Sequence, residues 1–413
     1  MQEPKLEVTI PEFKGTKNPN LTVENWEKKE SLAMLSDEER QEFKDKQNLG
    51  SNNWIISKQK SISGKAILAN DMHLGLSLPP PWYEAHIKTP TKHIYGLTLP
   101  CAPVVVHGFN GAIAWGMTNA TWDLTDTYKI AYADSQKLSY WHGNRMITFE
   151  TWQEILSVKG KPDTIITLKR SQDGVVIHKN GVDYLYDWAA DVESSDAFAF
   201  TRFETAKTWQ DFVEAFKHFK NPPQNFIYAD TLGNIGNYVA GNMPLRTKGY
   251  ERGVFSTRDS LAFKQGFVPF DELPHVYNPS KGFFASANQR QYENPNHYYN
   301  WSFAEPFRGW RISERLRAKP KLSVQDLMDI QADVVEPSFL QIKPILLRKN
   351  IITNANLLRD MQNWDGKMTM NSTLATRYFV FIEKLDSMML DVISQNKRQI
   401  LEPQTWTIIS YFK

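Results

Sequence analysis

The sequence predicts an α+β protein, and three observations carry that expectation. Short β-branched and aromatic runs fill the middle of the chain, separated by Gly, Pro, Asn and Asp. Apolar residues change to a helical spacing beyond about residue 305. No internal repeat of fixed period, and no low-complexity tract, points to a solenoid or a disordered array.

The elements follow in order. Residues 1–50 are polar and become helix-prone in LTVENWEKKESLAMLSDEERQEFKDKQ, which reads as a solvated helix or linker. The texture changes at Gly50-Ser51. From Ser51 to about Tyr132, strands are expected in NWIISKQ, KAILAND, HIYGLTL, PVVVHGF and AIAWGMT. More follow in DTIITLKR, GVVIHKNG and DYLYDW, with RSQDG and HKNG as hairpin turns because Asp-Gly and Asn-Gly tolerate positive φ. TWQDFVEAFKHF fits a helix, its apolar stripe being Trp209, Phe212, Val213, Phe216 and Phe219. A strand pair, QNFIYAD and NIGNYVAG, turns at Thr231-Leu232-Gly233. Ser323 is placed to cap a helix over SVQDLMDIQADV, and TLATRYFVFIEKLDSMMLDVISQ is long and amphipathic. The final TWTIISYFK reads as a strand-like run.

Composition removes several function classes. Lys plus Arg is 48 against 46 Asp plus Glu, so no excess of base suggests a polyanion ligand. A single cysteine, Cys101, rules out an intrachain disulfide framework and a cysteine-based zinc site. No run of about 18 apolar residues suggests a membrane helix, and the first residues lack the apolar core of a signal peptide. There is no G-x-S-x-G, H-E-x-x-H, P-loop or dinucleotide glycine pattern, and the nine His are scattered without ligand spacing.

The informative junction is Leu49-Gly50-Ser51-Asn52-Asn53-Trp54, where a polar stretch ends in Gly and a strand begins with Ser. By itself this is an ordinary turn before a strand. With its neighbours, GSNNWIIS, AILANDMHLGLSLPPPWYEAHI and GFNGAIAWGMTNATWDLTD, it closely resembles the penicillin acylase family of N-terminal-nucleophile hydrolases. The resemblance continues through NPPQNFIYADTLGNIGNYVAGNMPLR, ASANQR, FRGWRISERL and DLMDIQADVVEPS, in order across about residues 45–345.

The resemblance implies an αββα sandwich and a precursor that cuts itself between Gly50 and Ser51, making Ser51 a new N-terminus. The chemistry is self-consistent. A serine hydroxyl needs a base, and a free α-amine, with a reference pKa of about 7.7–8.0, is partly neutral near pH 7. One residue then supplies nucleophile and base. The resemblance assigns oxyanion donors to the Asn225 side-chain amide and the Asn119 backbone N–H. It sets Arg246 near the nucleophile, steadying Asn225 or a substrate carboxylate. It gives His73, 22 residues after Ser51, the part of hydrogen-bonding the serine or orienting its amine. Asp123 and Asp126 match carboxylates that hold a structural Ca2+ in several members, and no organic cofactor is implied. Read without the family, Asn225 is a strand-initiating residue after Pro222-Pro223, Arg246 a surface residue after a proline turn, His73 a turn residue beside Asp71, and the aspartates a strand cap.

The implied organisation is residues 1–50 as the end of an α-segment and spacer, 51–305 as the core of the β-chain, and 306–413 as a mainly helical part of the same chain. Beside the family pattern, the segment before Ser51 is short and the C-terminal region is missing, so a piece of a longer protein is expected. The expected activity is hydrolysis of a small N-acyl amide through an acyl-Ser51 ester, with an apolar acyl pocket. The cut chains are expected to stay associated, without nucleic acid or membrane partners, in a periplasmic or secreted setting. Two alternatives stay open: a family-derived remnant that binds without catalysis, and an aromatic-rich module that binds carbohydrate, suggested by the 13 Trp.

Overall fold

The computed structural model describes residues 50–251, 253–290, 292, 303–348, 351–393, 405, 408 and 409. The expected spacer therefore lies outside the described residues, except for Gly50. Three strands open the fold: β1 (Gly50–Ile56), β2 (Ile67–His73) and β3 (Tyr83–Lys88). Next come β4 (His93–Thr98), β5 (His107–Phe109), β6 (Ile113–Asn119) and β7 (Thr125–Lys129). A β-rich excursion supplies β8 (Ser139–His142), β9 (Arg145–Thr148), β10 (Glu150–Leu156), β11 (Thr164–Ser171), β12 (Gly174–Lys179) and β13 (Val182–Trp188). Helices α1 (Asp196–Phe203) and α2 (Trp209–Ala215) precede β14 (Gln224–Asp230), β15 (Ile235–Ala240), β16 (Val254–Ser256), β17 (His275–Tyr277) and β18 (Phe283–Ser286). Helices α3 (Phe307–Arg317), α4 (Val324–Gln331), α5 (Pro337–Arg348), α6 (Ala355–Asn363) and α7 (Thr373–Ile393) follow.

Two sheets matter for function. One has three strands in the order β18-β1-β2, the other seven in the order β17-β15-β14-β6-β5-β4-β3. Both are antiparallel throughout. Because successive side chains of a strand point to opposite faces, β1 divides its residues. Trp54 and Ile56 pack with Ile312 and Leu316 of α3 and Leu327 and Ile330 of α4. Ile55 joins the core that includes Ile227 of β14. The seven-stranded sheet does the same in mirror image. Phe226 meets the rings of Phe200, Phe203, Phe216 and Phe219 on its helical side. The layers are thus α1/α2, the seven-stranded sheet, the three-stranded sheet, and α3/α4: an αββα sandwich, as expected.

Local chemistry explains most boundaries. Thr208 and Asp211 form a reciprocal capping box at the start of α2, which ends sooner than the periodicity predicts and continues as a 3₁₀ turn over Phe216–His218. Ser323 caps α4 as expected, in a second capping box with Asp326. Asn180 and Gly181 both take positive φ (51° and 77°), closing the β12–β13 hairpin at HKNG. Two readings are corrected. Of PVVVHGF only His107–Phe109 is strand; Val104, Val105 and Val106 are buried core residues in a bent segment. In the final strand-like run, Thr405, Ile408 and Ile409 are helical. Ile409 packs in a cluster with Phe339, Ile342 and Tyr378.

The six-stranded sheet, β10-β11-β12-β13-β7-β16, has its own small core around Tyr128, Tyr140 and Leu185. Among the described residues no helix is long and apolar enough to cross a membrane.

The two facing sheets meet closely at Gly116, where a Cβ would fall 2.3 Å from Asn70 Oδ1 of β2. Gly116→Ala is expected to destabilise the protein by about 1–3 kcal/mol through overpacking. A denaturant midpoint equal to that of the parent would contradict this account of the sheet contact.

Candidate active site

Ser51 is the second residue of β1 and is buried. Strand alternation puts its side chain on the face shared with Asn53 and Ile55, turned towards the seven-stranded sheet. Asn53 Nδ2 spans that gap and donates to the Asn225 carbonyl at 3.3 Å. Asn225 is the second residue of β14, pairing with Thr118 of β6, and is buried. The nucleophile candidate and the oxyanion candidate thus face each other across the sandwich, although 174 residues separate them in sequence.

Around Ser51 the backbone is held rather than the hydroxyl. Its N–H donates to Asn288 Oδ1 at 2.7 Å. Arg308, in the first turn of α3, donates from one terminal nitrogen to the Ser51 carbonyl (3.2 Å) and to Asn52 Oδ1 (2.7 Å), and from the other to Asn288 Oδ1 (3.2 Å). Among the described residues no hydrogen bond fixes Ser51 Oγ. Asn288 has a left-handed backbone, φ 64°, which asparagine tolerates better than most residues. This conformation follows immediately on the end of β18 and turns the amide back over the start of β1.

Asn119 O is the shared acceptor of the site. Asn225 Nδ2 donates to it at 3.2 Å and Asn288 Nδ2 at 3.0 Å. Asn225 Nδ2 also lies 3.3 Å from Thr118 Oγ1. The Asn119 side chain, exposed, accepts the Thr121 N–H at 2.7 Å. The group of Asn119 tied into the site is therefore its carbonyl.

His73 does not make the contact expected of it. In the β1–β2 register Ser51 lies opposite Met72, and His73 lies opposite Gly50. The two-residue period sends His73 to the helical face of the sheet, where Nε2 sits 3.1 Å from Asp71 Oδ2 and 3.4 Å from Asn52 Nδ2. It reaches the Ser51 backbone through Asn52.

Beside Asn225 lies a recess lined by Ala120, Trp122, Val239, Gln289, Tyr292 and Phe303. Its walls are chiefly aromatic and aliphatic.

These observations agree with the comparisons. The family described as Penicillin amidase matches residues 13–409. The chain belongs to that family. Penicillin acylase 2 proenzyme of Pseudomonas sp. (strain SE83) is 26% identical over 343 residues, covering 80% of this chain and 44% of that protein. Acyl-homoserine lactone acylase QuiP of Pseudomonas aeruginosa is 26% identical over 370 residues, covering 81% of this chain and 43% of that protein. A solved structure, thermostable penicillin G acylase from Alcaligenes faecalis, has a TM-score of 0.73 at 22% identity, covering 86% of this chain and 67% of that one. That last likeness shows the shared fold. The chain spans less than half the length of these two curated relatives.

Within this penicillin amidase chain, Arg246, Asp123 and Asp126 come together in a way the sequence did not suggest. Arg246 is almost wholly buried, and its Nε donates to both carboxylate oxygens of Asp126 at 2.9 and 3.2 Å. Its terminal nitrogen donates to the Asp123 carbonyl at 3.1 Å and lies 3.8 Å from the Asp123 carboxylate. The guanidinium thus takes the charge and the oxygens that a calcium ion would need. Calcium wants six to eight oxygen ligands, and among the described residues no group of three or more His, Cys, Asp or Glu could hold a metal. The aspartates as arranged do not fit the expected ion.

Within ASANQR and FRGWRISERL, nothing local marks Asn288 or Arg308 as residues of the site. Their local signal was weak: a small-residue strand end, and an arginine one step into a helix.

The Asn288→Ala variant is expected to lose about 1–3 kcal/mol, because it strands the Ser51 N–H and puts alanine at a left-handed φ. Asn288→Gly, which relieves only the backbone strain, should recover part of that loss. Equal stability of both variants and the parent in urea unfolding would remove Asn288 from the framework of the site.

Proposed function

We infer that this chain carries the catalytic centre of an N-acyl amide hydrolase, with Ser51 as an N-terminal nucleophile freed by cleavage of the Gly50–Ser51 bond. The observation that carries the reading is that Ser51 and Asn225 lie on the facing sides of the two sheets, bridged through Asn53, with the Ser51 backbone anchored and no hydrogen bond to its hydroxyl among the described residues. A structural serine buried in a strand would ordinarily bond its hydroxyl to a neighbour.

In the first step Ser51 Oγ attacks the Gly50 carbonyl, converting the peptide into an ester that water hydrolyses. Gly50 leaves as a carboxylate and Ser51 keeps a free amine. In turnover the neutral amine takes the hydroxyl proton as Oγ bonds to the substrate's acyl carbon. The tetrahedral oxyanion is stabilised by the Asn225 amide, which exchanges the Asn119 carbonyl for a stronger, charged acceptor. Collapse breaks the C–N bond, and the proton held by the Ser51 amine passes to the leaving amine. Water then hydrolyses the acyl-Ser51 ester by the same base.

The apolar lining of the recess beside Asn225 has the character a fatty or aromatic acyl group needs, but its volume of about 10 Å3 holds no more than a water, so seating such a group requires the recess to open. Fragments on either side of the cut stay together in this reading, Gly50 on one side pairing with His73 on the other. No step runs through a metal. A periplasmic setting goes with the same reading.

Two measurements test it. Intact mass of purified protein should show a break before Ser51 that disappears in Ser51→Ala; an uncut parent chain, inert towards N-acyl substrates, would instead favour a non-catalytic remnant. In a series of chromogenic acyl-anilides of increasing chain length, Asn225→Ala should lower kcat by about 100- to 1,000-fold with the cut retained. Unchanged kcat would remove Asn225 from the oxyanion role.

A further inference from the structure

Arg308 poses a question that the reaction above does not answer. Its guanidinium is half-buried, and burial pushes it below the usual arginine range, yet it stays charged. Buried guanidinium groups are ordinarily paired with carboxylates. The hydrogen-bond partners of this one are neutral oxygens, those of Ser51, Asn52 and Asn288, and among the described residues no carboxylate forms an ion pair with it. Arg246, at the other buried arginine position, has Asp126 and Asp123. The unpaired positive charge is therefore a local choice, and it lies at the Gly50–Ser51 junction. A Cβ on Gly50 would meet its terminal nitrogen at 2.8 Å.

We propose that Arg308 is a positioning residue for the reaction described above, holding the freed Ser51 amine neutral and its lone pair turned to the hydroxyl. This rests on the reading of Ser51 as an N-terminal nucleophile and goes beyond it by naming what tunes the base. The Ser51 nitrogen and the guanidinium share one acceptor, Asn288 Oδ1, at 2.7 and 3.2 Å. They cannot be more than about 6 Å apart, and a like charge at about 4–6 Å disfavours the ammonium form. Asn288 Oδ1 takes one N–H and so orients the nitrogen. Because Arg308 already donates to that same oxygen, it weakens the oxygen's ability to stabilise a full ammonium.

Other charged and polar groups also face the junction. Strand β2 brings His73 and Asp71, with the Asp71 carboxylate 3.1 Å from the His73 ring on the helical face of the sheet, opposite the face that carries the Ser51 side chain. Strands β6 and β14 and the residues after β18 contribute the amides of Asn225 and Asn288 and the hydroxyl of Thr118. The cation from α3 is thus the charge with the most direct hold on the nitrogen.

The sign is fixed by the chemistry. A depressed amine pKa keeps the base neutral at lower pH and extends activity to the acid side. The test uses the full chain, after mass spectrometry has established the cut before Ser51. The acid limb of kcat/KM for an uncharged acyl-anilide is compared among the parent, Arg308→Gln and Arg308→Lys. The pH dependence of chemical labelling of the Ser51 amine is followed in parallel, and it reads the same pKa without requiring turnover. Arg308→Gln is expected to move both upward by about one pH unit, with roughly a tenfold loss at pH 6 that narrows as pH rises. Arg308→Lys should restore most of the shift. A uniform loss across pH, or a raised KM with unmoved limbs, would overturn the proposal by making Arg308 structural or a substrate contact. An uncut parent chain would overturn the nucleophile reading beneath it; a cut chain with unmoved limbs and unmoved labelling overturns only the assignment of Arg308.

Discussion

The structure depends on one constraint: strand β1 must seal one layer with its apolar residues and turn polar ones to another. Its alternation makes this possible. Trp54 and Ile56 are driven into the helical layer by apolar burial, which fixes the rotation of the strand. Once that rotation is fixed, Ser51 and Asn53 have no choice but to face the second sheet. The apolar residues at the end of the strand thereby aim the polar residues at its beginning.

Both sheets line the gap between them with polar groups of matching kind. Asn53, Thr118, Asn225, Ser286 and Asn288 are buried between the layers, and Thr118 Oγ1 meets Ser286 Oγ at 2.7 Å. Burying such groups is costly unless they are hydrogen-bonded. Asparagine and hydroxyl side chains suit the task because each both donates and accepts. Asn119 O, which accepts from two of the amides, links β6, β14 and the turn after β18 at a single point. A site built this way holds the Ser51 backbone on several sides, while among the described residues no hydrogen bond fixes its hydroxyl.

Arg246 and Arg308 show how the same residue type serves different ends. Arg246 is matched with Asp126 and Asp123 across 120 residues of sequence and ties β7 to the segment after β15. Arg308 is matched with neutral oxygens, and its charge remains directed at the start of β1. The first arrangement cancels a field; the second leaves one in place beside Ser51.

Much of the fold could be read along the chain, because strand alternation, turn residues and helix caps are local. The β12–β13 hairpin at Asn180-Gly181, the Thr208 and Ser323 caps, and the strand beginnings at Ser51 and Asn225 all rest on residues a few positions apart. What the sequence by itself determined is the α+β class and the family. Tertiary structure alone decided who surrounds Ser51. Asn288 and Arg308 arrive from 237 and 257 residues away, His73 is turned to the opposite face by the β1–β2 register, and Arg246 goes to the aspartates. These outcomes depend on which face of a strand meets which layer, a matter of register and packing between distant elements that no local pattern encodes.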